Sequence, residues 1–271
     1  MKLYSIMPLD GEHIDEWVDD IERQYRNGIA TEALFRMTLT PEGDPVINKA
    51  EMLCEQYRVY RERLAERGMP SGVLVQATIG HGYALTTKIP FTPMIGLLDG
   101  QEKYVACPYD EEFRDYIRRA MTTIASERPS SIMVDDDFRL FARSYRGCVC
   151  DRHMLEISRR AGREVTREEL RALFETDSDE ARGLMKIFYA TQIDSLIGAA
   201  RAMREGIDAV DPRIQGSFCA CGDTCEGAAE IAKILAGEGN PVIVRVNNGN
   251  TALPVRAVSS TRWHGRRRRS T

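Results

Sequence analysis

The sequence predicts an α/β chain of (β/α)8-barrel (TIM-barrel) type, incomplete at about six βα units, with a helical insertion after the fourth strand. Three observations carry this reading. Short apolar runs alternate with amphipathic helical stretches through the first 250 residues, the pattern of right-handed βαβ units around a parallel sheet. Nearly every apolar run ends in polar or reactive side chains, and barrels build their sites at the C-terminal ends of strands. No run is followed by a G-x-G-x-x-G or P-loop phosphate turn, which an open doubly wound sheet would carry.

The elements follow in order. Leu3 to Leu9 reads as a strand, and His13 to Arg26 as a helix with Ile14, Trp17, Val18, Ile21 and Tyr25 on one face. Ala33 to Leu39 is the second strand and contains Arg36. The helix from Ala50 to Arg67 is closed by Gly68 and followed by Pro70, a C-terminal stop signal. Gly72 to Ile79 is the third strand, with His81 just beyond it. A long packed loop from about Gly80 to Lys103 precedes a helix over Asp110 to Glu127, whose stripe is Phe113, Tyr116, Ile117 and Met121. Ser130 to Val134 is the fourth strand and runs into Asp135, Asp136 and Asp137. The helical excursion comprises Asp151 to Ala161, a second piece opened by the capping box Thr166-Arg-Glu-Glu169, and a third from Asp179 to about Ile207. Arg213 to Ala220 is the fifth strand, Glu226 to Ala236 a helix, and Val242 to Val246 the sixth strand, ending at Asn247 and Asn248.

Composition narrows the function classes. The chain has 271 residues with 29% charged side chains of mixed sign, which excludes collagenous and low-complexity architectures. No apolar run reaches the ~18 residues that cross a bilayer, and the N-terminal stretch is too short for a signal peptide. Reduced thiols and a cytoplasmic location are therefore expected for the seven cysteines. Six of the 37 basic residues and none of the 41 acidic ones follow Asn250. The expected organisation is thus an acidic barrel-like domain over residues 1–250 and a basic tail over 251–271. One basic run on an acidic body is a weak nucleic-acid signal, so nucleic acid is not the expected partner.

Two constellations carry chemistry. Cys107-Pro108 is followed by Cys148-x-Cys150-x-x-His153, and three thiolates with one imidazole form a tetrahedral donor set that zinc favours in closed structural sites. The competing reading is three small buried cysteines with a surface histidine. The second is Ile132-Met-Val-Asp-Asp-Asp-Phe-Arg139. Acids at the end of a buried strand must be paired, solvated or used. Strand alternation places Asp135 and Asp137 on one face and Asp136 opposite. Arg139 and Arg36 are the expected electrostatic partners, and crowding would raise the pKa of one carboxyl, as a general acid needs. A solvated acidic turn or a divalent-cation site is the alternative. His81 suits either hydrogen bonding to a ligand or loop packing; Phe91 and Tyr109, in loops, are candidate stacking platforms, and Trp17, on a helix face, reads as core. Cys219-x-Cys221-x3-Cys225 reads as small residues at a barrel mouth before a second thiolate site.

In the order Cys-Pro, helix, strand ending in acids and Cys-x-Cys-x-x-His, the chain resembles the barrel of family-42 β-galactosidases and related clan-A glycoside hydrolases. The motif-level likeness covers about residues 104–160, and strand order extends it loosely over 1–250. The resemblance implies O-glycosyl hydrolysis, a carbohydrate substrate and a structural zinc held by Cys107, Cys148, Cys150 and His153. It places Asp137 on the family's acid/base glutamate and Asp136 on the asparagine that holds the sugar's 2-hydroxyl. Asp135 and His81 then line the substrate site with Arg36, and Arg139 supports the catalytic pair. The chain departs from the family in having Asp for the acid Glu, Asp for that Asn and His for the fourth zinc Cys. The family's nucleophile is a Glu after the seventh strand, about 5 Å from the acid, whereas six strands are counted and no acid follows Asn250. Weak or absent hydrolysis by a truncated barrel is expected, with Asp223 or Glu226 poor substitutes. The alternative function is a zinc-stapled, non-catalytic carbohydrate-binding or interaction protein. Open sheet edges predict self-association.

Overall fold

The computed structural model describes residues 2–81, 89–141, 143, 145–221 and 227–247. Strands β1 (Tyr4–Met7), β2 (Glu32–Thr38) and β3 (Ser71–Gln76) alternate with helices α1 (Ile14–Arg26) and α2 (Lys49–Glu66). A short pair, β4 (Pro93–Ile95) and β5 (Glu102–Ala106), precedes α3 (Glu111–Ser126) and β6 (Ser131–Val134). Helices α4 (Asp151–Ala161), α5 (Arg167–Ala172) and α6 (Asp179–Asp208) lead to β7 (Gln215–Cys221), α7 (Ala228–Ala236) and β8 (Val244–Asn247).

Six strands form one parallel sheet in the order β1-β2-β3-β6-β7-β8. A doubly wound sheet reverses its strand order at a switch point; here the order never reverses. Each connection therefore returns its helix to the same side, which is the winding of a barrel wall, and the six strands make a partial barrel. Alternation along the strands bears this out. Phe35, Met37, Val73, Val75, Ile132, Val134 and Phe218 lie in the main core with Tyr57, Tyr60, Phe113, Ile117, Met203 and Ile231 from the helices. Leu34, Leu74, Met133 and Cys219 form a separate cluster on the opposite, inner face.

The six predicted parallel strands are all present, with shifted ends. The third stops at Gln76 rather than Ile79 because Ala77 takes φ 52° and the chain turns, with Gly80 N donating to Ala77 O. The long loop predicted after it contains the antiparallel pair β4–β5, too short to show a period of its own.

Between β6 and β7, α4 and α5 pack with the first half of α6 around Leu97, Val149, Ile157, Val165, Leu170, Leu184 and Phe188. The 30 residues of α6 span about 45 Å, so its second half, Leu196 to Ile207, reaches the main core. It approaches α3 closely: a Cβ on Gly206 would lie 2.3 Å from Arg118 O. The capping box at α5 is formed, Thr166 accepting from Glu169 N and Glu169 from Thr166 N. Thr166→Ala should therefore lower unfolding stability by about 1 kcal/mol, measurable by denaturant titration; an unchanged midpoint would show that α5 is held by packing alone.

Candidate metal centre and barrel mouth

Four side chains converge between β5, the 147–150 loop and the start of α4. The ligand atoms of Cys107, Cys148, Cys150 and His153 lie within 4.8 Å of one another, and all four residues are buried. Cys107 Sγ is 3.5 Å from Cys150 Sγ, and His153 Nδ1 is 3.4 and 3.5 Å from the sulfurs of Cys107 and Cys150. A tetrahedral ion with bonds of about 2.3 Å places sulfur ligands about 3.8 Å apart, so the donors need little adjustment to close on one ion.

Local structure explains the convergence. Cys107 follows β5 and is fixed by its N–H to Thr92 O at 2.8 Å. Cys148 bridges to Gly96 beside β4. Its peptide is clamped by the Gln192 side chain, which accepts from Cys148 N at 2.7 Å and donates to Cys148 O at 3.0 Å. Cys150 caps α4, and His153 follows within the first turn. Ser195 Oγ donates to Gln192 O at 2.8 Å, so it is an acceptor for His153 Nε2–H at 3.2 Å. That hydrogen bond leaves Nδ1 bare toward the sulfurs, the tautomer a metal ligand requires. The Tyr109 ring covers His153 at 4.8 Å and is thereby occupied as a wall of this centre.

The electrostatics also favour a cation. Burial pushes the Cys107 and Cys148 thiols up, while their S–H groups hold Cys150 down as a thiolate. Three thiolates share a dry site only when a positive ion neutralises them. The residues fit a metal in number, geometry and second-layer support. Ser195→Ala should weaken metal binding about 10–100-fold in competition with a chromophoric chelator; an unchanged affinity would mean the ring is oriented by other contacts.

The barrel mouth is built from the exits of β3 and β6. The registers Thr38↔Gln76 and Cys219↔Arg245, with those of β6 continued by one residue, put Thr38, Gln76, Asp135, Cys219 and Arg245 in one inward-facing row. Gln76 Nε2 donates to Asp135 Oδ2, and Arg245 stands 4.0 Å from Asp135 Oδ1. Burial pushes the Cys219 thiol up to about 12, so it behaves as a small inner-face residue.

Beyond Asp135, whose N–H still donates to Val75 O of β3 at 2.9 Å, the acidic triplet does not continue the strand. The chain then turns, with Phe138 N donating to Asp135 O, so alternation no longer decides where the carboxyls of Asp136 and Asp137 point. Asp135 and Asp137 are buried and Asp136 is half-buried. Asp137 Oδ2 accepts from Ala77 N at 2.6 Å, whereas its buried Oδ1 has no hydrogen-bond partner. Burial, with the charges of Asp135 and Asp136, raises Asp137 from 3.8 to about 7 despite the Ala77 amide and Arg143. His81 Nδ1 lies 3.7 Å from Asp137 Oδ2. Its pKa is lowered by burial and by Arg143, so the imidazole is kept neutral beside a carboxyl that retains its proton.

Arg139 and Arg36 differ from their expected roles as partners of the acids. Arg139 Nε and Nη1 are buried without hydrogen-bond partners. Arg36 faces the inner side one row below Gln76 and is exposed; among the described residues it makes no ion pair with the triplet. The guanidinium that reaches Asp137 belongs to Arg143, whose signal was only its four-residue distance from Arg139 in a loop. Gln192 and Ser195 were also missed, although two polar residues on the apolar face of α6 are a legible hint. Phe91 packs against Phe113 and Tyr116 in the core, which closes it to a ligand. Residues 82–88 of the predicted long loop, Asp223, Cys225, Glu226, Asn248 and the tail over 251–271 lie outside the described residues.

No protein-family model and no curated protein matches the sequence. Solved structures do match its fold. A polyextremophilic β-galactosidase from the Antarctic haloarchaeon Halorubrum lacusprofundi superposes with a TM-score of 0.60 at 16% identity over 87% of this chain and 39% of its own. The β-galactosidase from Bacillus circulans sp. alkalophilus gives 0.59 at 14% identity over 93% and 41%. That of the psychrophilic Marinomonas ef1 gives 0.59 at 13% over 87% and 40%. The chain thus spans about two fifths of the length of these proteins, and at such identities the likeness is one of fold.

Proposed function

We propose that the chain handles a carbohydrate at the mouth of its partial barrel as a β-galactosidase-like glycoside hydrolase of weak activity, with Asp137 as the proton donor. The observation that carries this reading is the Asp137 carboxyl. It sits at the C-terminal exit of a barrel strand, one oxygen held by Ala77 N and the other without a partner, and it keeps its proton to about pH 7. A carboxyl protonated near neutrality and adjacent to ionised neighbours is the form that protonates a leaving-group oxygen. Asp136 would face the sugar hydroxyls, and Asp135, His81 and Arg36 would line the bound ring. Arg139, with two buried N–H groups lacking acceptors, would donate to ligand oxygens beside the acid. That Asp137 shares its fold position with the acid of clan-A hydrolases rests on the motif resemblance and on the β-galactosidase-like fold.

A second reading, non-catalytic sugar binding, is favoured by one feature. Among the described residues, the carboxylates that press on Asp137 are Asp135 and Asp136 of its own turn, which cannot stand across a scissile bond from it. Aryl β-galactosides and free sugars assayed on the native protein and on Asp137→Asn separate the two. Hydrolysis lost in the variant supports the enzyme reading, and binding without hydrolysis in either supports the binding protein. No binding and no turnover over a broad sugar panel would remove both.

For the metal centre we propose one structural zinc, held by Cys107 Sγ, Cys148 Sγ, Cys150 Sγ and His153 Nδ1, which staples α4 to the loop ends and takes no part in turnover. Residues 1–250 are assigned to the barrel-like unit and 251–271 to a separate basic tail. Five buried free thiols suit a reducing, cytoplasmic setting, and no described helix is long and apolar enough to cross a membrane.

A further inference from the structure

Arg143 binds the exit loops of β3 and β6 together. Its Nε donates to Arg139 O at 3.1 Å, Nη2 to Asp137 O at 2.7 Å and to Gly80 O at 3.2 Å, and Nη1 to His81 O. Four backbone carbonyls from two loops thus converge on one largely buried guanidinium, and the planar fork of an arginine can serve them together where an ammonium cannot. Ala77 N, the donor that holds Asp137 Oδ2, belongs to one clamped loop, and Asp137 belongs to the other.

We propose that Arg143 is the positioning residue of the mouth, which locks the β3 and β6 exits so that Asp137 stays buried under the Ala77 amide with His81 alongside. This rests on the reading of Asp137 as the proton donor but concerns only how that carboxyl is held. The guanidinium contributes in two opposed ways. As a charge it disfavours a proton on both Asp137 and His81. As a clamp it keeps water from Asp137, and burial is the largest influence on that carboxyl. The other groups facing this pair are Asp135 and Asp136 from the β6 exit, Arg245 of β8 opposite Asp135, and Arg139, which bears on Arg143 itself.

The two contributions differ in sign, so substitution tells them apart. Arg143→Lys keeps the charge and loses the fork; Arg143→Met loses both. Carboxyl titration by 13C NMR, imidazole titration of His81 and exchange of the Ala77 amide provide readouts that need no substrate. If Arg143 positions the loops, Asp137 in both variants falls by at least one pH unit toward the ordinary carboxylate range, and Ala77 exchange accelerates at least tenfold. His81 rises in both. Zinc content and the far-UV spectrum act as controls for folding, because the metal centre uses none of these contacts. An Asp137 midpoint that is unchanged in Arg143→Lys, or raised in Arg143→Met, with Ala77 still protected, would overturn the proposal. Failure of the native protein to bind or cleave any sugar would bear on the function alone and leave this test standing.

Discussion

Cys148→Ser is expected to yield a protein that holds no metal and is less stable than the native chain by several kcal/mol, against one zinc expected per native chain. The size of the effect follows from what the centre joins. The end of β5, the strand-like segment at Cys148 and the first turn of α4 meet there, and α6 supports them through Gln192 and Ser195. Structural zinc supplies on the order of 10 kcal/mol in small domains, and loss of one of four ligands forfeits much of that. The remaining core around Val149, Ile157 and Phe188 would keep the helices associated, so the damage should concentrate in the 147–161 segment. Elemental analysis, denaturant unfolding and amide exchange of Val149, which donates to Ile95 O, measure the three parts. A native protein purified without metal, or a variant of equal stability, would remove the zinc from the account.

Asp137→Asn will leave stability unchanged near pH 4 and raise it near pH 8 by on the order of 2–4 kcal/mol. The sign follows from a carboxyl raised from 3.8 to about 7 in the folded chain. Below about pH 4 both folded and unfolded forms hold the proton, and the group contributes nothing to the pH dependence. Between about 4 and 7 the unfolded chain has lost the proton while the folded chain keeps it, so rising pH favours unfolding. Above about 7 the folded chain bears a buried carboxylate and the full penalty. The neutral amide escapes it. His81, lowered in the folded chain, acts with the opposite sign and lies 3.7 Å from Asp137, so its own titration is followed in both proteins to separate its contribution. A variant less stable than the native chain at pH 8 would mean that Asp137 is an ionised, well-paired carboxylate. Such a gain on removing the acid is the usual mark of a group kept for function at the expense of stability.

Where the sequence was legible, the information was local. Periods of two and 3.6 located the six parallel strands and the seven helices, and the Thr166 box needed only four residues. The Cys107, Cys148, Cys150 and His153 cluster could be read because three of its donors, Cys148, Cys150 and His153, fall within six residues and leave few arrangements. The mouth was less legible because its geometry is set between elements. The left-handed Ala77 ends β3 early, the turn at Asp135 to Phe138 cancels strand alternation, and Arg143 reaches back across two loops. Nothing along the chain ranks Arg143 above Arg139 or Arg36 as the arginine next to Asp137; only the approach of the β3 and β6 exits does. The inner-face row of Gln76, Asp135, Cys219 and Arg245 likewise follows from register, which requires all four strands at once.

The most direct test of a proton donor at this mouth is the titration of the Asp137 carboxyl itself, assigned by its disappearance in Asp137→Asn and followed by 13C NMR from pH 3 to pH 9. A midpoint near 7 is expected, displaced when a galactoside or galactose occupies the site. A midpoint near the ordinary 3.8, indifferent to sugar, would contradict it.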